Sequence, residues 1–308
     1  MHFNKLDLNL LVALDHMLTL KSVSRASERM SLTQSAMSNA LTRLRTYFDD
    51  PLLVQVGRRM ELTPRAQAMQ HSVRDILVRI EATVATDLTF DPSQSTRDFR
   101  IILSDFTMST LMPRVLELAD RVSSSIRFQF LPQVESPYQA IEKGDADVLV
   151  APAPLTSPEH PSEYLFSEEY VCITCASSRH HGEPMTMERY AGARHVKMEP
   201  TTGAATFEQQ WLEKKGIHRD ISLTSYTFAS LPQLILGSDR IATVHKHMAL
   251  QYQSLIGVDI HPLPFDMPLL EERIQWHAYR DQDPGIRWLT DLMQSAASSM
   301  SSSHLSSP

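Results

Sequence analysis

Between Ser22 and Tyr47 the chain carries two helical periods separated by three residues, Ser31-Leu32-Thr33, and few arrangements tolerate so short a turn between helices. Val23, Ala26 and Met30 share one face of a first helix that Ser22 is placed to cap. A second helix is predicted from Gln34 to about Tyr47, with Thr33 as its N-cap and Ala36, Ala40, Leu41 and Leu44 turned inward. Its outer face reads Gln34, Ser35, Ser38, Asn39, Thr42, Arg43 and Arg45. Upstream, Leu6, Leu10, Leu14 and Leu18, flanked by Leu11 and Val12, add another apolar stripe at helical spacing. Amide, hydroxyl and guanidinium groups are the side chains that reach base edges and phosphates in a major groove, so the pattern reads as a helix-turn-helix. A generic helical bundle with a polar surface would share the periodicity. The small Ala26, Ala36 and Ala40, which let helices approach closely, favour the DNA-binding reading.

The segment from Leu52 to Thr63 holds two short strand-like runs about Gly57-Arg58-Arg59, a hairpin with a basic tip suited to backbone or minor-groove contact. Thr63-Pro64 then opens a long helix, with proline at its favoured first position. In it Ala66, Met69, Val73, Ile76, Ile80 and Thr83 recur at alternating spacings of three and four, flanked by Arg74, Asp75, Arg79 and Glu81. That 3.5-residue period is a coiled-coil seam; under three heptads it is short for stability alone, so the helix is also expected to pack on the winged helix, and it still implies a homodimer that sets two recognition helices on two half-sites. Charge divides along the same line. Residues 1–65 carry nine Lys or Arg against six Asp or Glu, a balance of +3, whereas residues 66–308 carry twenty against thirty, a balance of −10. A small polyanion-binding module joined to an acidic body accounts for the split, as does chance in so short a window.

Asp87 to Asp98 is polar and breaks the helix, so it reads as a hinge. Beyond it strands and helices alternate. Strands are expected at Phe99–Asp105, Ile126–Leu131 and Asp147–Ala151, with helices at Ser109–Arg121 and Pro137–Lys143 between them. A second set has strands at Tyr170–Ala176, His195–Met198, Ile221–Tyr226 and Ile241–His245, with helices at Ala204–Gly216 and Leu231–Gly237. A strand at Ile274–Arg280 and a helix at Ile286–Met293 close the pattern. This succession argues an α/β body with parallel sheets in two units. The Ser-rich run from 295 to 308 is expected to be a disordered tail.

The order helix, helix-turn-helix, wing and long linker helix resembles the LysR-type transcriptional regulators. The stretch Leu32-Thr-Gln-Ser-Ala-Met-Ser-Asn-Ala-Leu-Thr-Arg-Leu-Arg is similar to that family's recognition-helix signature, as are Asp49-Asp-Pro-Leu-Leu-Val and Leu62-Thr-Pro. The opening Leu6-Asp-Leu-Asn-Leu-Leu and the run Arg43-Leu-Arg-Thr-Tyr-Phe resemble the nodulation-gene and aromatic-degradation branch. The resemblance spans Met1 to about Gln294. Two positions depart from the pattern: Ser35 stands where the family usually has proline, and Gln67 where it commonly has glycine. Proline and glycine at those positions serve backbone geometry, so the departures bear on local rigidity more than on DNA binding.

The resemblance implies a winged helix-turn-helix over 1–63, a dimerisation helix and hinge over 64–90, and a periplasmic-binding-protein-like effector domain over 91–294. Its lobe I would take about 91–163 and 268–294 and its lobe II about 164–267, with crossovers near Ser162–Glu168 and Asp266–Leu269. It further implies an activator, a homodimer or homotetramer on double-stranded promoter DNA, which works with RNA polymerase and answers a small aromatic or phenolic inducer. A cytoplasmic location is expected because Asp7 and Asp15 interrupt the signal-like run at the N-terminus and no small-residue cleavage pattern follows. The candidate DNA contacts are Ser24, Thr33, Gln34, Ser35, Ser38, Asn39, Thr42, Arg43, Arg58 and Arg59; the candidate seam is Ala66, Met69, Val73, Ile76 and Ile80.

Ligands of open α/β sheets sit at the carboxyl ends of strands. Those ends give Ser104, Asp105, Phe106 and Thr107 after the first strand, and Ala151 and Pro152 after the third. In the other half they give Thr201, Thr202, Thr227, Phe228 and His245. Hydroxyls would hold a polar head while Phe106 and Phe228 pack an apolar body. Asp105 would repel an anion, so a neutral or phenolic donor is expected at that end.

Other signals point to no catalytic residue, cofactor or metal. Cys172 and Cys175 lie in an apolar strand and read as buried thiols. His245-Lys-His247 on a strand lacks further ligands, His180-His181 reads as a surface loop, and Glu271-Glu272 as solvated charges. The apolar stretches fall short of the roughly 20 residues a membrane helix needs, and neither a phosphate loop nor a nucleophile elbow is present. Two other classes remain: a solute-binding module that hands its ligand to a protein, and an enzyme with a helical appendage.

Overall fold

The computed structural model describes residues 6–84, 89–123, 125–201, 203 and 205–302. They fall into two compact units, the first running through the long helix and the second holding most of the residues from 89 onward.

In the first unit α1 (Leu8–Leu20), α2 (Val23–Arg29) and α3 (Gln34–Phe48) precede the strands β1 (Leu53–Val56) and β2 (Arg59–Leu62), and α4 (Pro64–Val84) follows. Local chemistry sets each boundary. Asp7, Ser22 and Thr33 accept backbone N–H groups of α1, α2 and α3 at distances of 2.8–3.3 Å, as N-caps do. Asp50 accepts both the Leu52 N–H and the Thr63 hydroxyl at 2.7 Å, and Thr63 in turn accepts the Ala66 N–H, so one carboxylate joins the loop after α3 to the start of α4. β1 and β2 pair antiparallel around Gly57, whose φ of +62° is readily adopted only without a Cβ. The core holds Leu10, Leu14, Met17, Leu18, Ala26, Leu44 and Leu53.

The inner stripe of α3 differs from expectation at one position. Met37 is fully buried beside Leu41 and Leu44, while Ala36 is exposed. Met37, Leu41 and Leu44 keep the four–three spacing that follows one face, and the larger side chain gains more from burial.

The second unit contains two five-stranded sheets. The first lobe is built from β3 (Asp98–Leu103), α5 (Asp105–Thr110), α6 (Met112–Asp120), β4 (Arg127–Pro132), α7 (Tyr138–Glu142), β5 (Val148–Pro152) and β6 (Ser162–Glu168). The chain then forms β7 (Tyr170–Cys175), α8 (Met187–Gly192), β8 (Arg194–Met198), α9 (Phe207–Lys214), β9 (Asp220–Ser225), α10 (Leu231–Leu234), β10 (Arg240–His245), α11 (Lys246–Ile256) and β11 (Val258–Pro262). It returns as β12 (Leu270–Trp276) and ends in α12 (Pro284–Ser302). The sheet orders are β4-β3-β5-β12-β6 and β11-β7-β10-β8-β9. In each, four strands run in one direction and a single antiparallel strand, β12 in the first and β7 in the second, lies between the edge strand and the other three.

The first crossing therefore lies at Glu169, because Ser162–Glu168 is a strand of the first lobe's sheet rather than a connector. Sequence pattern also passes over α8, α11 and β11. The Ser-rich run is not a tail from 295: α12 continues to Ser302, with Ala296 and Ala297 buried behind Ile286, Leu289 and Met293. Three of its serines return their hydroxyls to backbone carbonyls of the same helix, Ser295 to Asp291, Ser298 to Gln294 and Ser299 to Ala296, which offsets their poor helical propensity. Arg97 fastens the start of α12 to the sheet through two hydrogen bonds to Asp283, at 2.6 and 2.7 Å.

Candidate functional site

Two surfaces carry the chemistry. On the first unit, Ser24, Thr33, Gln34, Ser35, Ser38, Asn39, Thr42 and Arg43 are all exposed, on α2, at the α3 cap and on the outer face of α3. Thr42 donates to the Ser38 carbonyl, and Thr33 and Ser35 share a hydroxyl contact of 3.0 Å, so part of this face is pre-set by its own hydrogen bonds. Arg43 rests on the N-cap carboxylate Asp7 at 3.1 Å. An exposed pair of this kind is worth about 0–1 kcal/mol and yields readily to a phosphate. Arg45, placed by pattern on the same face, donates instead to the carbonyls of Pro51 and Leu53, holding the wing against α3. Arg58 and Arg59 stand exposed at and beside the hairpin tip.

The seam on α4 is only partly available to a second copy. Ala66 and Val73 are buried, and Met69 packs with them against the first unit's core. Arg74 locks the same helix to the buried Asp15 on α1 at 2.7 Å. Ile76 stays 45% exposed and Ile80 half-buried. Because one stripe serves the unit's own core, the five residues do not form a continuous free seam.

The second surface is a cleft of about 560 Å³ in the second unit. Of the residues read from strand ends, Ser104, Asp105, Phe106, Pro152, Thr201, Thr227, Phe228 and His245 line it. Thr107 does not: it is fully buried behind Ser104, to whose hydroxyl it lies at 2.9 Å. Ala151 does not either, being packed with Ile102, Ile141 and Leu149. Thr202 lies outside the described residues.

Apolar and aromatic groups dominate the walls. Phe106 stacks on His245 with ring centroids 3.7 Å apart, and Phe228 meets the same imidazole edge-on at 4.6 Å. Pattern did not single out Gln133 and Glu135 beyond β4, Tyr170 on β7, Phe207 and Gln210 on α9, or Glu272 on β12, all of which contribute. Among the described residues, no Lys or Arg lines the cleft, while three carboxyls do: Asp105, Glu135 and Glu272.

Burial decides the charge of the titratable groups. It pushes the Glu272 carboxyl up to about 8, with the neighbouring Glu168 adding repulsion. It pulls His245 down to about 3, with His247 pushing the same way, so the ring is a neutral stacking partner. Burial also raises Asp105, although backbone N–H groups of Phe228 and Ala229 oppose it. Glu272 is 2% exposed, which corrects its reading as a solvated charge. His247 lies on α11 rather than on a strand, and Glu168, wholly buried, accepts both its backbone N–H at 3.1 Å and its Nδ1 at 2.6 Å.

Elsewhere, His180 is 3% exposed and not a surface residue, whereas His181 is exposed and meets Asp259 at 2.5 Å. Cys172 and Cys175 are buried free thiols, as expected. No helix among the described residues is long and apolar enough to cross a membrane.

Known proteins match both units. Residues 8–67 match the family described as bacterial regulatory helix-turn-helix protein, lysR family, and residues 92–298 match the LysR substrate binding domain. Nodulation protein D 1 of Neorhizobium galegae is 38% identical over 307 residues, covering 98% of each chain. Nodulation protein D 2 of Rhizobium leguminosarum bv. phaseoli is 35% identical over 312 residues, covering 99% of this chain and 96% of its own. Among solved structures, full-length OxyR from Pseudomonas aeruginosa superposes with a TM-score of 0.71 at 13% identity, covering 92% of this chain and 94% of that one. The regulatory domain of MexT, a transcriptional activator in the same organism, gives 0.58 at 23% identity over 66% of this chain and all of that domain. These two likenesses speak for the fold. Family matches over both units, with full-length relatives above 30% identity, set aside the solute-carrier and enzyme readings: the chain belongs to the LysR family of transcriptional regulators, in the branch that holds nodulation protein D.

Proposed function

We propose that this regulator is an inducer-responsive activator acting in the cytoplasm, and that an aromatic or phenolic small molecule bound in the cleft is its inducer. The observation that carries the reading is the cleft itself. Its volume falls in the range that takes drug-sized ligands, about 300–1,000 Å³, and its walls are aromatic with a few polar groups. The exposed amides, hydroxyls and arginines on α3 would read base edges, while Arg58 and Arg59 would grip the backbone. The working assembly is a dimer or a dimer of dimers on a promoter, with RNA polymerase as the partner of activation. A ligand that fits one assembly better than the other by about 1–3 kcal/mol suffices to switch it.

A salt titration of binding to the DNA upstream of its own gene, against scrambled DNA of equal length, tests the DNA half of this reading. Preference for the native sequence, with a slope reporting several phosphate contacts, is the expected result. Repeating it with a panel of phenols tests the inducer half; a panel that leaves both affinity and footprint unchanged would overturn it.

A further inference from the structure

We infer that Glu272 is the group that reads the ligand at the hinge of the cleft, and that it takes a hydroxyl or carbonyl oxygen of an uncharged aromatic ligand. The inference rests on the cleft being the ligand site. Glu272 stands on β12, the strand by which the chain returns to the first lobe, directly across from Phe166 on β6 and Pro152 on β5. It lines the cleft although 98% of its surface is covered. Its Oε2 has no hydrogen-bond partner among the described residues. A buried polar atom without a partner costs free energy comparable to a lost hydrogen bond, so such an atom at the wall of a cavity marks a place where a ligand supplies the missing group.

The surroundings fix the charge of that ligand. Among the described residues no Lys or Arg lines the cleft to neutralise Glu272, and the nearby Glu168 is engaged by His247. Burial and Glu168 together keep the Glu272 proton on to about pH 8. A neutral carboxylic acid offers one O–H donor and retains acceptor capacity, the complement of a hydroxyl or of a carbonyl. A carboxylate ligand would meet three carboxyls and, among the described residues, no cationic side chain, since burial keeps His245 neutral. A cationic ligand would find no charge on Glu272 to pair with, because burial keeps that carboxyl protonated.

Three benzophenones that share one 4-hydroxyphenyl ring and carry a hydroxyl, a carboxylate or an aminomethyl group on the other ring test this. Calorimetric titration would use the full-length protein, Glu272→Gln, Glu272→Leu and the cleft-filling Ala205→Trp. The dihydroxy compound should bind wild type at least tenfold more tightly than the charged pair. Glu272→Gln, whose amide still donates and accepts, should stay within about threefold of wild type; Glu272→Leu should weaken binding at least tenfold at an unchanged or higher Tm.

Glu272→Leu binding as tightly as wild type, while Ala205→Trp abolishes binding, would overturn the role of Glu272 alone. Binding that survives Ala205→Trp, or that is undetectable for all three compounds, would overturn the cleft as ligand site and this inference with it. Preference for the aminomethyl compound would show an ionised, cation-binding Glu272 and refute the neutral-ligand assignment.

Discussion

The Asp105 carboxylate accepts a hydrogen bond from the backbone N–H of Ala229 at 2.9 Å, joining residues 124 apart in sequence and on opposite lobes. Asp105 opens α5 beside the first lobe's sheet, and Ala229 precedes α10 in the second. Ala229 is held from its other side as well, its carbonyl accepting the Tyr252 hydroxyl at 3.0 Å. The carboxylate expected to repel an anionic ligand thus has a second role as a clasp across the cleft.

Removing the clasp should loosen the second lobe's loop without unfolding it. Hydrogen bonds to charged groups contribute about 1.5–3 kcal/mol, so Asp105→Ala should speed amide exchange in the segment 226–231 by at least about tenfold. Hydrogen-exchange mass spectrometry measures this without any ligand. Asp105→Asn, which keeps an acceptor, should lie between the two. Exchange in Asp105→Ala equal to wild type would show that the clasp carries no free energy.

Glu272 should give the protein a stability that declines with rising pH. In the unfolded chain it ionises near 4.5, whereas the folded protein keeps its proton to about 8. Between these values the folded state binds more proton, so the contribution present below pH 4.5 is lost as pH rises through 8, at up to roughly 1.4 kcal/mol per pH unit. Glu272→Gln should match wild type near pH 5 and exceed it by about 2 kcal/mol or more at pH 8. Urea unfolding at the two values checks this; parallel curves for the two proteins would place the proton elsewhere.

Glu272 also shows how far the cleft was legible before the structure. Leu270, Glu272, Ile274 and Trp276 alternate with Glu271 and Arg273, and period-two alternation alone puts Glu272 on the buried face. Glu271 and Glu272 read as adjacent solvated charges only when the strand is taken to start at Ile274, four residues after its true start at Leu270. Strand-end reasoning found the cleft walls from the parallel strands, but it has no rule for Tyr170 and Glu272, which enter the cleft from antiparallel strands beside the crossings.

The same reasoning named Thr107 and Ala151, which sit one turn or one pleat away from the wall and face the core. The helix-turn-helix was the easiest part to read, since caps, turn and polar face are all local. Seam and tail were harder, because Val73 and Ala296 take their roles from partners distant in sequence.

Two buried histidines should make the second unit acid-sensitive. His245 is held neutral down to about pH 3 and His195 down to about 4, both mainly by burial, whereas in the unfolded chain each takes up a proton near 6.5. Below 6.5 the unfolded state binds more proton, so stability present above that pH is lost as pH falls toward the folded values. His245→Phe preserves a ring for Phe106 to stack on and removes one titration. Its stability relative to wild type should improve by about 2 kcal/mol between pH 7 and 5 at the 1.4 kcal/mol per unit scale. An unchanged difference across that range would mean His245 is protonated in the folded protein.

The wing and the recognition helix should separate by salt and by sequence. Arg58 and Arg59 flank the tip beyond Gly57, exposed and suited to a phosphate. Each phosphate contact contributes about 0.9 to the slope of log affinity against log salt, so replacing both arginines with alanine should flatten the slope by about 2 and weaken native and scrambled DNA alike. Asn39→Ala on the exposed face of α3 should instead leave the slope nearly unchanged and cost about 1–3 kcal/mol at particular base pairs. Anisotropy titrations at several salt concentrations, repeated on single-base variants of the native site, distinguish the two. A loss of base preference in the arginine variants, or a flattened slope in Asn39→Ala, would reverse the roles assigned to wing and helix.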